Sequence, residues 1–324
     1  MIGNLQLLRV FAASGVVIWH SHANIFGIHT MFHGVALFFV LSGYLMCKIS
    51  NRSALDFARD RFWRIVPNYW LALGMLLSLF NMWTYWPVDH TVLSAFFIPH
   101  ESPSGFYPVL GVGWTLNLEM YFYAVFALSI LLFQGRAPII AGLVILGLSA
   151  GLPYVTENTA LLFYYSHDEV KYFVFGIVIW YFSEWIKAKN LPIFLPCWTL
   201  PVALAVYALL VLIGGSPIII VPALFLMAVF AASFGADLKP RILMIMGDAS
   251  YACYLLHTIL LEFLRHNGID TSGTLPFTVG VLVGSWTIAI WWHIYVEKLI
   301  SVVRSRRVSY LPTVAERASR SAFR

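Results

Sequence analysis

The chain has 324 residues, of which 60% are hydrophobic and 11% charged, with a formal net charge of +5 and a mean hydropathy of +0.80. Soluble domains are nearer half apolar and a quarter charged, so this composition excludes a water-soluble globular enzyme and requires a bilayer as solvent. Cys47, Cys197 and Cys253 lie in or beside apolar runs without CxxC spacing, which points to neither a disulfide framework nor a thiolate metal site.

Apolar runs of ~20 residues recur from end to end, the pattern of spanning helices rather than of barrel strands. In chain order they predict spans at Leu5–Ile25, Met31–Ile49, Pro67–Trp86, Val112–Phe133, Pro138–Thr156, Val170–Lys187, Cys197–Ile213, Pro217–Phe234, Leu243–Leu264 and Leu275–Val296. The expected fold is therefore all-α, a polytopic membrane bundle of about ten transmembrane helices. Residues 1–300 form one integral domain and 301–324 a basic cytoplasmic tail. The N-terminus lacks the basic n-region of a cleavable signal peptide, so the first run is expected to be retained.

Lys and Arg test this topology, because they concentrate on cytoplasmic connections. Of the 20 basic residues, all but Lys171 and Arg265 fall on alternate connections, which places both termini in the cytoplasm. The net charge thus follows from topology, and the tail Arg304–Arg324 is better read as a juxtamembrane segment facing anionic headgroups than as a nucleic-acid site. The longest outer connection, Pro87 to Gly111, has three further prolines (Pro99, Pro103 and Pro108) after Pro87 and no Lys or Arg, and is expected to act as a lid or acceptor-facing loop.

Ionisable groups within spans are costly and mark function. Arg9 and His20 share the first span, 11 residues apart; that is about 1100° of rotation, within about 20° of three turns, and a rise of roughly 16 Å. Both project from one face, Arg9 near the cytosol and His20 in the outer half. Arginine at that end suits an anion, and the deeper histidine suits proton transfer or nucleophilic attack. A snorkelling Arg and a bundle-bonded His form the bland alternative.

The block Arg59-Asp60-Arg61-Phe62-Trp63-Arg64 stands just before Pro67. Arg61 and Arg64 are three apart, so on a helical turn they share a face and could hold phosphate oxygens. Phe62 and Trp63 offer rings to a nucleobase, whereas ordinary positive-inside charge explains only that the loop is basic.

Gly113 to Tyr123 opens an inward-running span, with Glu119 about two turns from the outer face and at nearly the depth of His20. A carboxylate there could orient the imidazole, or could be a structural polar group of the bundle. Mid-span His257 is equally consistent with core hydrogen bonding and with a substrate contact. His22, His29 and His33 make no metal site, since no HExxH or third ligand accompanies them, and no metal is expected. Glu297 beside Lys298 reads as an interface charge.

These residues together resemble the acyltransferase-3 family of membrane acyltransferases. The resemblance is carried by Arg9-x10-His20, Phe38-Phe39-Val40-Leu41-Ser42-Gly43-Tyr44-Leu45, Arg61-x-x-Arg64-Ile65-Val66-Pro67, Gly113-Trp114-Thr115-Leu116-x-x-Glu119 and Ser250-Tyr251-x-x-Tyr254-Leu255-x-His257, in the family's order over almost the whole chain. The run Gly113 to Tyr123 is most similar to the branch that acetylates bacterial exopolysaccharides. Asp60 departs from the family, where many relatives have two adjacent arginines.

The resemblance implies an inner-membrane O-acyltransferase that moves an acyl group, commonly acetyl, from cytoplasmic acyl-CoA to a hydroxyl of a cell-surface polysaccharide or its lipid-linked precursor. Arg9, Arg59, Arg61 and Arg64 are then expected to hold the coenzyme. His20 is expected to act as general base or transient acyl carrier with Glu119 steadying it, and Trp114, Asn117, Tyr121 and His257 to contact the acceptor. Some relatives carry a fused outer esterase-like domain; none is evident here, so the acceptor is expected to be reached directly or through a separate partner. The rival class is a multi-pass transporter or flippase of a glycan intermediate, which predicts paired broken helices and an inverted repeat. The sequence shows no such symmetry. A non-catalytic scaffold would leave the aligned Arg9 and His20 without a purpose.

Overall fold

The computed structural model describes residues 2–22, 32–102, 105–189, 192, 194–269 and 273–309, with side chains as far as 305. His29 and most of the expected basic tail lie outside these residues. The described chain is helical, without a strand: α1 (Gly3–His20), α2 (Gly34–Lys48), α3 (Ala54–Leu79), α4 (Val88–Ala95), α5 (Gly113–Phe133), α6 (Ala137–Gly151), α7 (Thr159–Tyr165), α8 (Lys171–Ala188), α9 (Thr199–Leu212), α10 (Pro217–Ser233), α11 (Arg241–His266), α12 (Leu275–Trp292) and α13 (Lys298–Ser309). Three helical runs, Gly113–Tyr154, Arg241–His266 and Leu275–Ser305, are long and apolar enough to cross a membrane. Gly34–Lys48, Thr199–Leu212 and Pro217–Ser233 are shorter apolar helices.

Each expected span contains a helix, but two boundaries moved in ways that matter. The third span was expected to open at Pro67; α3 instead starts thirteen residues earlier and runs through the proline. Ser53 caps it, its hydroxyl accepting the Asp56 N–H at 3.1 Å. Beside the proline, the Asn68 side-chain amide donates to the Arg64 carbonyl at 3.3 Å. The arginine block is consequently helical. At the other end of the chain, α12 passes through a π-turn, His293–Glu297, closed by a 2.7 Å contact between His293 Nδ1 and Glu297, and continues as α13.

Helix α1 occupies the centre, packed on α2, α10, α11 and α12. Its first turn is tied down by Asn4, whose side-chain amide donates to the carbonyls of Ala228 (3.1 Å) and Ala236 (2.9 Å) and whose oxygen accepts the Leu238 N–H at 2.9 Å. Helices α2 and α8 touch backbone to backbone: a Cβ on Gly43 would sit 2.0 Å from the Phe173 carbonyl oxygen, and one on Gly176 2.1 Å from that of Val40. This explains the glycine in the Phe38–Leu45 motif. Large apolar side chains such as Leu131, Leu143, Val178, Ile219 and Val283 remain exposed on the outside of the bundle, as a lipid-facing surface requires.

The long connection between α3 and α5 is tied at several points. Tyr69 donates to the Ser94 carbonyl (3.1 Å), Trp70 to that of Ala95 (2.9 Å), and the Val109 N–H to the Ser94 hydroxyl (3.1 Å). Tyr164 on α7 bonds the Phe106 carbonyl. The described part of this loop is a fixed cover over the end of the bundle where α1 terminates.

Candidate active site

Two cavities lie at different depths along α1. The first, the arginine cavity, is lined by Arg9, Arg61, Arg64, Ser42, Glu119, Tyr123 and Tyr251, among apolar residues of α2 and α5. Arg9 comes from α1, Arg61 and Arg64 from α3, one helical turn apart on the face α3 turns inward. Arg9 is 8% exposed; it donates to Gln6 Oε1 at 3.2 Å, and Gln6 in turn donates to Asp248 at 2.6 Å. Arg61 lies 5.8 Å from the Tyr123 ring centroid. The Nε atoms of Arg9 and Arg61 are buried without a hydrogen-bond partner. None of these three arginines forms an ion pair among the described residues, whereas Asp60 is bonded by both Arg52 and Arg304. Three guanidinium groups without an ion-pair partner line one cavity, Arg9 buried, Arg61 half-buried and Arg64 exposed where the cavity meets the vestibule, and together favour an anion with several oxygens.

Glu119 belongs to this cavity. Its Oε1 accepts from Ser42 at 2.9 Å and from the Tyr123 hydroxyl. Beyond Arg61, Arg64 and Tyr251 the cavity adjoins a wider vestibule bordered by Asp60, Trp63, Asp248, Glu297, Lys298 and Arg304. Arg59 lines neither space; it faces a lateral groove between α3 and α5 with Leu55, Phe62 and Met120.

The second, the histidine cavity, is lined by His20, His22, Trp86, Tyr107, Trp114, Glu262 and Arg265. His20 Nδ1 sits 2.9 Å from the Val16 carbonyl and 3.2 Å from His257 Nε2. His257 is fully buried behind it on α11. Between the cavities, the Tyr254 hydroxyl donates to the Val112 carbonyl at 2.9 Å and lies 2.6 Å from Thr115 Oγ1. Tyr254 and Thr115 line the arginine cavity and Val112 the histidine cavity. Close to this end, outside the spans, the Lys171 ammonium holds Asp168 below the usual carboxylate range, while burial pushes Glu169 up to about 7.

The residues singled out in the sequence therefore divide. Arg9, Arg61, Arg64 and Glu119 come together in one cavity, and His20 and Trp114 in the other. The partner of His20 is His257, not Glu119: Glu119 stands about a turn and a half farther along α5 than Trp114, at the level of the arginine cavity, and turns toward Ser42 of α2. Asn117 and Tyr121 line neither cavity; Asn117 is buried and Tyr121 packs on Tyr165 with ring centroids 4.4 Å apart. Sequence reasoning missed Ser42, Asp248 and Tyr251 as site residues. Ser42 and Tyr251 stood inside quoted motifs, but only long-range packing shows what they touch. No group of three or more His, Cys, Asp or Glu able to hold a metal ion occurs among the described residues.

Comparison with known proteins supplies the reaction class. The model of the acyltransferase domain of the acyltransferase-3 type matches residues 2–296. The exopolysaccharide production protein ExoZ of Rhizobium meliloti (strain 1021) is 34% identical over 85% of this chain and 92% of its own length. The O-acetyltransferase OatA of Staphylococcus aureus (strain NCTC 8325 / PS 47) is 23% identical over 86% of this chain, which spans about half (53%) of that relative. No solved structure matches.

Proposed function

This chain belongs to the acyltransferase-3 family, and from that premise we propose that it is a multi-pass inner-membrane O-acyltransferase. Its donor is acyl-CoA, acetyl-CoA foremost, and its acceptor a hydroxyl of an exopolysaccharide or of the lipid-linked precursor. In this reading ten spans leave both termini in the cytoplasm, so the arginine cavity and its vestibule open to the cytoplasm and the histidine cavity to the outside.

The observation that carries the proposal is the pairing of an arginine cluster that forms no ion pair among the described residues, at one level of α1, with a histidine on a separate aromatic-walled cavity at another. Arg9, Arg61 and Arg64 hold the coenzyme's phosphates, and the vestibule receives its nucleotide end beside Trp63. Glu119, fixed by Ser42 and Tyr123, organises the arginine cavity along which the thioester arm extends. Trp86, Tyr107 and Trp114 provide the apolar faces on which a sugar ring rests.

At His20 the imidazole lone pair takes the proton of the acceptor hydroxyl, whose oxygen attacks the thioester carbonyl. The C–S bond breaks, the ester forms, and the departing thiolate recovers the proton from the imidazolium. Attack by the same lone pair to give a transient acyl-imidazole, then transfer to the hydroxyl, uses the same residue. CoA does not cross the membrane in either case.

The test is transfer of label from radiolabelled acetyl-CoA to surface glycan by protein in nanodiscs, wild type against His20→Ala. Label moved by wild type and not by a folded, donor-binding His20→Ala protein supports the proposal. Normal transfer by that variant would overturn the role of His20. Transport of a glycan intermediate without CoA release would favour the transporter class.

A further inference from the structure

The two histidines that meet between α1 and α11 have a fixed proton assignment, because each faces a backbone carbonyl. His20 Nδ1 is 2.9 Å from the carbonyl of Val16, and His257 Nδ1 is 3.2 Å from that of Cys253, each four residues back on its own helix. A carbonyl oxygen only accepts, so both Nδ1 atoms carry hydrogen. That leaves a lone pair on His257 Nε2, aimed at His20 Nδ1 from 3.2 Å, with the rings 5.0 Å apart. The Nδ1–H of His20 is shared between Val16 and His257, and no other assignment satisfies all three contacts. The remaining nitrogen, His20 Nε2, bears the free lone pair.

We infer that His257 is a positioning residue: its Nε2 lone pair locks His20 in the Nδ1–H tautomer, so that Nε2 is the reactive nitrogen of the histidine cavity. The inference rests on the role of His20 proposed above. It departs from the sequence expectation in two respects. His257 stands behind the reacting histidine and lines neither cavity, and the orienting group, for which Glu119 was the candidate, is a second, neutral imidazole. A neutral acceptor suits this place, because His257 is fully buried and a carboxylate there would bear the cost of desolvation. When His20 becomes an imidazolium, the same lone pair and the Val16 carbonyl still receive its Nδ1–H, so the charged state gains no unsatisfied donor on that side.

Gln and Leu at position 257 separate positioning from packing, since Gln presents an acceptor near the place of Nε2 and Leu fills space without one. In full-length protein in nanodiscs, His257→Leu is expected to lower kcat about 10-fold or more with the acetyl-CoA KM within about twofold of wild type, and His257→Gln to recover most of that loss. Equal losses in both variants, or an undiminished kcat in His257→Leu, would overturn the inference. Nitrogen-15 spectra of histidine-labelled wild type, with His20 assigned by comparison with His20→Ala at alkaline pH, read the tautomer without reference to activity or to the folding of any position-257 variant. Protonated Nδ1 and bare Nε2 on His20 are expected, and protonated Nε2 would overturn the inference. A His20→Ala protein with normal transfer and a wild type with the Nδ1–H tautomer would count against the proposed function alone.

Discussion

At the residue scale, the structure distinguishes arginines that the sequence treats alike. Arg61 lies in the arginine cavity with a buried Nε lacking a partner, whereas Arg59 points to a lateral groove. Arg61→Ala is accordingly expected to raise the KM for acetyl-CoA about 10-fold or more, because charge-assisted bonds contribute about 1.5–3 kcal/mol each. Arg59→Ala is expected to change it less than about threefold, and steady-state kinetics on the two proteins check the contrast. Glu169 gives a pH prediction. Its folded pKa of about 7 lies above the ordinary glutamate value because burial disfavours the carboxylate. The unfolded chain loses its proton at lower pH than the fold does, so this group's contribution is full below about pH 4 and is lost as pH rises through 7. A shift of this size corresponds to about 3 kcal/mol. Thermal unfolding of Glu169→Gln should show a flatter dependence between pH 5 and 8, and a higher Tm than wild type at pH 8.

At the element scale, the packing of α2 on α8 depends on Gly43 and Gly176, where added Cβ atoms would collide with backbone oxygens that cannot move independently of their helices. Gly176→Ala is expected to cost about 1–3 kcal/mol, read as a lowered Tm in detergent. The same change at Gly147, whose Cβ would meet nothing within 4 Å, serves as the control. In α3, the helix that starts at Ala54 puts Arg61 and Arg64 on one face, and continuity through Pro67 joins that face rigidly to the span that follows. The sequence presented the spacing of three but also the proline, and local rules alone favoured a break there. The Ser53 cap and the packing of α3 on α5 and α11 override them.

At the scale of the whole molecule, the proposed topology predicts which surface each cavity opens to. In a Cys197→Ala background, needed because Cys197 is exposed while Cys47 and Cys253 are buried, Arg59→Cys should react with an impermeant maleimide only from the cytoplasmic side. Tyr107→Cys should react only from outside. Both labelled from one side would refute the ten-span orientation.

The sequence by itself determined the helical class, the apolar segments and the family, because hydropathy and motif order are local and survive without coordinates. It also brought Arg9 and His20 to different depths on one helix, since a single helix obeys a known pitch. Tertiary structure alone decided which side chains meet across helices: Glu119 with Ser42, His257 with His20, and Asp60 with Arg52 and Arg304. The physical reason is that depth along a span is written in residue count, whereas the azimuth at which two helices face each other depends on interhelical packing, to which residues far apart in the chain contribute together.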